Sequence, residues 1–243
     1  MHNAYLVLSK YYDKLIFDSD YQKWVDFVVD IVKKYAVNKK GVDVACGTGI
    51  FTRALKNNGF EVTGVDFSQE MLEKAINLTV KENLSITYLK QNMKNLKLFE
   101  KVGFITCIND GLNYLNKSDF EKAIKSFSNA LVKGGLLLFD ISSKYKLETV
   151  LANNLYGDNG DDLSYIWFNT LKDDSVELNL TFFEKQGDAY CRYDEKQVQY
   201  IHSLEFVKQV LIANKFTIVS VTEELGNHLK ENSLRQIFIA IKN

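Results

Sequence analysis

Two spacings of apolar residues alternate along residues 41–141. Short runs rich in apolar and β-branched residues, of which Gly41–Ala45 and Val102–Ile108 are typical, predict strands. Between these runs, apolar residues recur every three or four positions, which predicts helices with one buried face. Leu136–Phe139 is apolar at every position, as expected of a strand that is covered on both faces. The alternation predicts an α/β domain with a doubly wound, mostly parallel sheet.

Capping residues indicate where the helices begin. Residues 1–18 are rich in tyrosine and are predicted to form a short helical arm, and serines precede several of the helical patterns that follow. Two of these serines have Gln22 or Glu121 three residues later, which completes a capping box. The helix at Glu121 is predicted to run through Leu131 and to stop at Gly134–Gly135. The capping serines are Ser19, Ser68, Ser118 and Ser203.

Strict alternation of apolar and polar residues replaces this pattern between residues 142 and 202. It predicts a small antiparallel β-meander with one buried face, whereas the acidic stretch Asn153–Asp162 is predicted to be a loop. The alternating segments are Leu163–Thr170, Val176–Phe182 and Ala189–Ile201.

The end of the chain returns to the main sheet. Phe216–Glu223 and Arg235–Lys242 are predicted to pair antiparallel at its edge. The predicted organisation is a core of residues 1–141 and 203–243, which includes the N-terminal arm, and an antiparallel β insert of residues 142–202. An insert at this point overhangs the ligand end of the sheet, so we expect a lid over the substrate. Its aromatic residues are Tyr165, Trp167, Phe182, Phe183, Tyr190 and Tyr193.

Composition limits the class of partner. The chain has 243 residues, 46% of them hydrophobic, and a net charge of −1, which gives no basic excess for DNA or a membrane surface. Its three cysteines show neither disulfide nor metal-ligand spacing. This predicts reduced thiols, no metal site and a cytoplasmic location.

The turn after the first strand, Cys46–Gly49, has two glycines one residue apart and precedes a helix. Such a turn brings backbone close to a ligand and directs helix N–H groups at it. A Walker loop needs a lysine that is absent here, and the dinucleotide fingerprint needs a third glycine where this chain has Thr52. A pyrophosphate is therefore disfavoured relative to a third candidate ligand, S-adenosylmethionine.

Polar residues after the next three strands favour that ligand. Asp66 ends the second strand and can accept both hydroxyl groups of a ribose. Asn92 and Met93 follow the third strand, where an adenine would lie against an amide and a thioether. Asn109 and Asp110 follow the fourth strand and suit the ammonium group of an amino acid.

These segments resemble a known family. The motifs Asp-Val-Ala-Cys-Gly-Thr-Gly, Val-Asp-Phe-Ser-Gln-Glu-Met-Leu and Gly-Gly-Leu-Leu-Leu-Phe-Asp are similar, in this order, to those of class I S-adenosylmethionine-dependent methyltransferases. The N-terminal Tyr-Tyr-Asp-Lys-Leu and Asp-Tyr-Gln-Lys-Trp resemble the bacterial branch whose members act on small molecules or are unassigned. The resemblance implies a Rossmann-like, seven-stranded sheet with an antiparallel final strand. It also implies that N-terminal aromatic residues help to close the cofactor site.

The strand-end positions and the resemblance together predict a set of cofactor-binding residues. Pattern alone favours core positions for Tyr12 and Trp24, and it is the resemblance that makes a cofactor contact an equal alternative. Many relatives have aspartate in place of Asn92. The predicted set is Tyr12, Trp24, Asp43, Ala45, Cys46, Gly47, Gly49, Asp66, Phe67, Met71, Asn92, Met93, Asn109 and Asp110.

The methyl acceptor is predicted to be a small molecule. Related enzymes that methylate amines of DNA bases or of protein glutamine use a Pro-Pro motif after the fourth strand, and this chain has no proline. A sulfonium methyl is already activated, so alignment of donor and acceptor carries most of the catalysis and no catalytic residue is assigned. Candidates for a base or a substrate clamp are His202, Arg192 and Tyr12, although the simpler interpretation of Arg192 is a cross-strand partner for Glu177, Asp194 or Glu195. A tRNA or protein methyltransferase, a dehydrogenase and a non-catalytic S-adenosylmethionine-binding module stay open.

Overall fold

The computed structural model describes residue 11 and residues 21–243, so the predicted N-terminal arm, the Ser19 cap and Tyr12 lie outside the described residues. The helices are α1 (Tyr21–Tyr35), α2 (Ile50–Asn57), α3 (Gln69–Lys81), α4 (Lys117–Ala130) and α5 (Leu204–Ala213). The strands are β1 (Lys40–Val44), β2 (Glu61–Asp66), β3 (Thr87–Lys90), β4 (Val102–Cys107), β5 (Leu131–Ser142), β6 (Leu155–Asn159), β7 (Leu163–Leu171), β8 (Ser175–Gln186), β9 (Ala189–Tyr200), β10 (Phe216–Thr222) and β11 (Arg235–Lys242). No helix among these residues is long and apolar enough to cross a membrane.

The main sheet has seven strands in the order β10-β11-β5-β4-β1-β2-β3. Strands β1 to β5 run parallel to one another, and β11 lies antiparallel between β5 and β10. The predicted doubly wound sheet with an antiparallel final strand is therefore confirmed. Because the strand order reverses between β1 and β4, their carboxyl ends flank the crevice where ligands bind in such sheets.

Helices cover both faces of this sheet, and β5 accordingly has apolar residues on both of its faces. Leu136 and Leu138 pack with Val28 of α1 and Leu55 of α2. Leu137 and Phe139 point the other way and pack against α4 and α5, where Phe120, Ile124 and Val207 are buried. Residues of both parities are apolar because each parity faces a different layer of helices.

The insert forms a second, antiparallel sheet in the order β6-β7-β8-β9. Strands β7, β8 and β9 match the predicted alternating segments within a few residues. The loop predicted at Asn153–Asp162 is wrong, since β6 lies there and Leu155 pairs with Phe168. This edge strand is held by backbone hydrogen bonds and is largely exposed, so it carries no alternating pattern to reveal it.

Two helix boundaries also differ from the prediction. Asn116, not Ser118, caps α4, because its side chain accepts a hydrogen bond from the backbone nitrogen of Asp119. Helix α4 ends at Ala130, and Gly134–Gly135 lies inside β5 near an irregularity in the pairing with β4. Gly134 has a φ of 79°, so it serves a distorted strand and not a helix end. The predicted Ser68 and Ser203 caps are confirmed.

Candidate active site

A cavity of about 490 Å³ opens at the carboxyl ends of the parallel strands. It is lined by the turn after β1, the end of β2, the segments after β3 and β4, and part of β9. Of the predicted cofactor-binding residues, those that line it are Asp43, Ala45, Cys46, Gly47, Asp66, Phe67, Met71, Asn92, Met93, Asn109 and Asp110. Trp24 and Gly49 do not line it.

The two glycines of the first turn have different tasks. Gly47 has a φ of 54°, and a Cβ atom added there would meet no other atom within 4 Å. The backbone at Gly47 is therefore open to a ligand. Gly49 has a φ of 76° and precedes α2, but a Cβ atom there would lie 2.6 Å from the Tyr88 hydroxyl oxygen. Gly49 therefore serves the packing of Tyr88 beneath the turn.

Asp66 joins this turn to the start of α3. Its Oδ2 atom accepts a hydrogen bond from the Gly47 nitrogen at 2.8 Å, and its Oδ1 atom accepts one from the Ser68 nitrogen at 2.9 Å. Burial raises the pKa of Asp66, although these backbone N–H groups oppose the rise. The carboxylate is thus fixed at the end of β2, and its remaining lone pairs can accept further hydrogen bonds.

Asp43 holds the same turn from below. It is buried, and its two oxygens accept hydrogen bonds from the Thr52 and Thr106 hydroxyl groups at 2.6 and 2.8 Å. Burial raises the pKa of Asp43 to about 6. Thr52, which the sequence marks only as a missing glycine, is therefore the residue that ties α2 to β1. Arg53 adds a second brace, because its guanidinium donates to the Thr48 carbonyl and to Glu82.

After β4, the backbone makes a tight turn at Asn109 and Asp110. The Asn109 side chain accepts a hydrogen bond from Trp24 Nε1 at 3.2 Å and donates one to the Tyr21 hydroxyl at 3.0 Å. Trp24 thus acts behind the cavity wall, whereas Tyr21 lines the cavity. Of these two aromatic residues of α1, Tyr21 alone lines the cavity, and Trp24, a predicted cofactor-binding residue, is linked to the cavity wall only through the Asn109 side chain.

Among the described residues, the contacts to the Asp110 carboxylate all involve one of its oxygens. Its Oδ2 atom accepts a hydrogen bond from Ser142 Oγ at 2.7 Å and lies 3.9 Å from Lys146 Nζ. Burial alone would raise the pKa of Asp110, but the positive charges of Lys146 and Arg235 outweigh burial and lower the pKa below its usual value. Asp110 is therefore an ionised carboxylate in the wall of the cavity.

Asn92 lies in an exposed position after β3. Its Oδ1 atom accepts a hydrogen bond from the Lys94 nitrogen at 3.0 Å and caps a short 3₁₀ turn, Met93–Asn95. The oxygen expected to meet an adenine amine therefore has a backbone partner already, although a carbonyl oxygen can accept a second hydrogen bond. The adenine contact at Asn92 stays a prediction.

The comparisons with known proteins agree with this fold. The methyltransferase domain family matches residues 42–135. A protein of Geobacillus sp. (strain WCH70), named only as a methyltransferase, is 32% identical over 98% of this chain and 99% of that protein. The crystal structure of a S-adenosylmethionine-dependent methyltransferase from Clostridium acetobutylicum ATCC 824 is 33% identical, with a TM-score of 0.90 over 97% of each chain. The chain belongs to the S-adenosylmethionine-dependent methyltransferases. A ubiquinone biosynthesis O-methyltransferase of Coxiella burnetii is 33% identical over 102 residues, which are 42% of each chain.

S-adenosylmethionine is the cofactor of this methyltransferase, and the residues around the cavity fit it. The open backbone at Gly47 permits close approach of a ligand, and Asp66 offers a carboxylate at the end of β2. Asp110 offers a second, ionised carboxylate after β4. In the described part of the chain, no three His, Cys, Asp or Glu side chains are grouped to hold a metal ion.

The methyltransferase cavity also includes residues that the sequence did not indicate. Strand β9 contributes Lys196, Gln197, Val198 and Tyr200, and the 3₁₀ turn Gly111–Tyr114 contributes Tyr114. The Tyr114 hydroxyl donates a hydrogen bond to Gln197 Oε1 at 3.0 Å. None of the six aromatic residues expected in the lid lines the cavity, and several pack in a separate core on the insert sheet. The insert therefore lines the cavity through a mixed polar and apolar stretch of β9.

Neither described candidate for a catalytic side chain reaches the cavity. His202 is buried between Phe120 and Phe206, and its Nε2 atom is 3.0 Å from the Leu115 carbonyl oxygen. Burial lowers the pKa of His202 to about 4. Arg192 is exposed and pairs with Asp194 of its own strand at 2.8 Å, which is the structural alternative considered for it. Cys107 is fully buried, and burial raises the pKa of its thiol well above the usual value.

Proposed function

We propose that this methyltransferase transfers the methyl group of S-adenosylmethionine to a small-molecule acceptor that binds between β9 and the 3₁₀ turn Gly111–Tyr114. One observation carries the proposal. A single cavity of about 490 Å³ is lined by Gly47 and Asp66 and also by Tyr114 and Gln197. A donor on the first pair and an acceptor on the second would share one space, as an in-line displacement requires.

The strand-end residues would hold the cofactor. Asp66 would accept the ribose hydroxyl groups, Met93 would cover the adenine beside Asn92, and Asp110 with Asn109 would receive the ammonium group. The bound cofactor supplies a methyl group that its sulfonium already activates. The protein then has to fix the direction of approach, for which the rigid turns after β1 and β4 are suited.

The acceptor side of the cavity combines the hydrogen-bonding groups of Tyr114 and Gln197 with the apolar side chains of Leu115 and Val198, and its charged groups are paired. Lys196 pairs with Glu177 at 3.1 Å, and Lys94 pairs with Asp119 at 2.6 Å. A wall of this kind suits a neutral acceptor with hydrogen-bonding groups better than an RNA backbone, which requires unpaired cations. The partial relative named for ubiquinone biosynthesis supports a small-molecule acceptor. The insert would serve as the substrate wall through β9.

Ligand binding and methyl transfer test the proposal in turn. Thermal-shift titration should show stabilisation by S-adenosylmethionine and S-adenosylhomocysteine and none by NAD, because only ligands of the folded state raise the melting temperature. Labelled S-adenosylmethionine should then transfer its methyl group to a fraction of small metabolites. Label in RNA or protein, or binding without transfer to any fraction, would contradict the proposal.

Substitutions on β9 test the acceptor side. Gln197→Ala should raise the KM of the acceptor about tenfold, since about 1.4 kcal/mol corresponds to one hydrogen bond and to a factor of ten. The affinity for S-adenosylhomocysteine should stay within twofold. Asp194→Asn, on the same strand but outside the cavity, is the matched control and should change neither value.

A further inference from the structure

We propose that Asp140 and Arg235, which do not line the cavity, are positioning residues that hold the Asn109–Asp110 turn in the shape that presents Asp110 to the cofactor. The proposal rests on the assignment of Asp110 to the cofactor's ammonium group. It concerns the buried layer directly behind that turn, where Asp140 ends the Gly-Gly-Leu-Leu-Leu-Phe-Asp motif without a role assigned from sequence.

The turn needs support because its backbone is unfavourable. Asn109 and Asp110 have φ values of 66° and 49°, so two consecutive residues with side chains adopt the left-handed conformation. This conformation costs about 1–2 kcal/mol per residue, and somewhat less for asparagine and aspartate. Without compensating contacts the turn would relax to another conformation and carry the Asp110 side chain with it.

Asp140 supplies the compensating contacts. Its Oδ1 atom accepts a hydrogen bond from the Asn109 backbone nitrogen at 2.7 Å, and its Oδ2 atom accepts one from the Asp110 backbone nitrogen at 3.1 Å. Asp140 is fully buried near the carboxyl end of β5, a rigid element of the sheet. Two hydrogen bonds from consecutive backbone N–H groups to one carboxylate fix both residues of the turn relative to the sheet.

Arg235 supplies the countercharge for this buried carboxylate. Burial raises the pKa of Asp140, and the Arg235 guanidinium, which donates to Oδ2, opposes the rise. Arg235 is the first residue of β11, and its guanidinium also lies 5.8 Å from the centre of the Trp24 ring. Trp24 in turn donates a hydrogen bond to the Asn109 side chain. Asn109, Asp140, Arg235 and Trp24 therefore form a closed ring of contacts around the turn.

The side chain of Asp110 is held separately, through one of its two carboxylate oxygens. The hydrogen bonds and the ion pair of Asp110 all involve Oδ2, and among the described residues none donates to Oδ1. Asp140 therefore fixes the backbone of Asp110 while Ser142 and Lys146 fix one oxygen of its side chain. The other oxygen is left for an N–H group of a ligand in the cavity.

The main experiment replaces Asp140 by asparagine in a Trp167→Phe background, where Trp24 is the one remaining tryptophan. An amide oxygen can accept one of the two backbone N–H groups, and the NH₂ group repels the other. We expect at least tenfold weaker binding of S-adenosylhomocysteine by calorimetry and a shifted indole N–H resonance of Trp24. The exposed-pair variant Arg192→Met, in the same background, should change neither.

Asp110→Ala separates this proposal from the one on which it rests. If Asp110→Ala leaves S-adenosylhomocysteine affinity within twofold, the assignment of Asp110 to the cofactor fails, whatever Asp140 does. If Asp110→Ala weakens binding but a folded Asp140→Asn protein binds within twofold of the parent, the positioning role is overturned.

Arg235→Lys decides the matter if Asp140→Asn does not fold. Lysine keeps the countercharge but lacks the planar fork that meets Asp140 and Trp24 together. We expect three- to tenfold weaker binding of S-adenosylhomocysteine and a shifted Trp24 resonance at unchanged far-ultraviolet circular dichroism. Affinity within twofold of the parent would overturn the proposal.

Discussion

Replacing Asp66 tests the proposed cofactor geometry most directly. Its carboxylate accepts hydrogen bonds from the Gly47 nitrogen at 2.8 Å and the Ser68 nitrogen at 2.9 Å, one on each oxygen. In the proposed complex it also accepts the ribose hydroxyl groups. Asp66→Asn preserves the shape of the side chain but leaves one accepting oxygen and adds a donor, whereas Asp66→Ala removes both acceptors.

The size of the effect follows from the hydrogen bonds lost. A hydrogen bond to a charged group contributes about 1.5–3 kcal/mol. Asp66→Asn loses about one such bond to the ribose, which corresponds to roughly ten- to hundredfold weaker binding. Asp66→Ala loses both and should weaken binding by more than about hundredfold. The exposed carboxylate of Asp194 provides a control, and Asp194→Asn should bind like the wild type.

Calorimetry with S-adenosylhomocysteine gives the dissociation constants, at a temperature well below the melting point of every variant. Because burial raises the pKa of Asp66, wild-type affinity should fall as the pH is lowered through that pKa, since a protonated carboxyl loses an acceptor. Asp66→Asn should lack this part of the pH dependence. A folded Asp66→Ala protein with wild-type affinity would refute the ribose assignment and with it the proposed orientation of the cofactor.

Three further experiments test local features of the fold. Asp43 has a folded pKa of about 6 against 3.8 in the unfolded chain, so its contribution to stability is present below pH 3.8 and is lost as the pH rises through 6. Asp43→Asn should therefore gain up to about 3 kcal/mol relative to wild type between pH 4 and pH 7 in urea unfolding. Gly49→Ala should destabilise the fold by about 2–3 kcal/mol, and a second change, Tyr88→Phe, should recover part of the loss by removing the clashing hydroxyl. The folded pKa of His202 lies near 4, below its unfolded value, so its NMR resonances should not titrate between pH 5.5 and pH 8. Titration near pH 6.5 would show that this ring is not buried.

The cavity residues at the ends of β1 and β2 could be predicted from sequence because the patterns that indicate them are local. A glycine turn after a strand and a carboxylate at the end of the next strand are each contained in one short segment. Parallel pairing of β1 and β2 then brings Gly47 to Asp66 without further information. The same locality explains the confirmed caps at Ser68 and Ser203.

The second side of the cavity could not be predicted because its residues meet only through tertiary structure. Tyr114 and Gln197 are separated by 83 positions, and Asp140 and Arg235, which lie behind the cavity wall, by 95. Alternation in β9 indicates which residues share a face, but it does not indicate that Gln197 meets the turn after β4. Conversely, the aromatic residues of the insert suggested a ligand pocket, and the structure uses several of them as a core beneath β7 and β8.

The charges of the cavity give a physical reason for the choice of ligand that the motifs only imply. Its described carboxylates are Asp43, Asp66, Asp110 and Asp119, and its two lysines are both paired with carboxylates. A dinucleotide would place an anionic pyrophosphate near the glycine turn, where Asp43 and Asp66 would repel it. S-adenosylmethionine instead brings a sulfonium and an ammonium, which an acidic cavity attracts. Thr52 links both arguments, because the hydroxyl that replaces the third dinucleotide glycine is the group that fixes Asp43 beneath the turn.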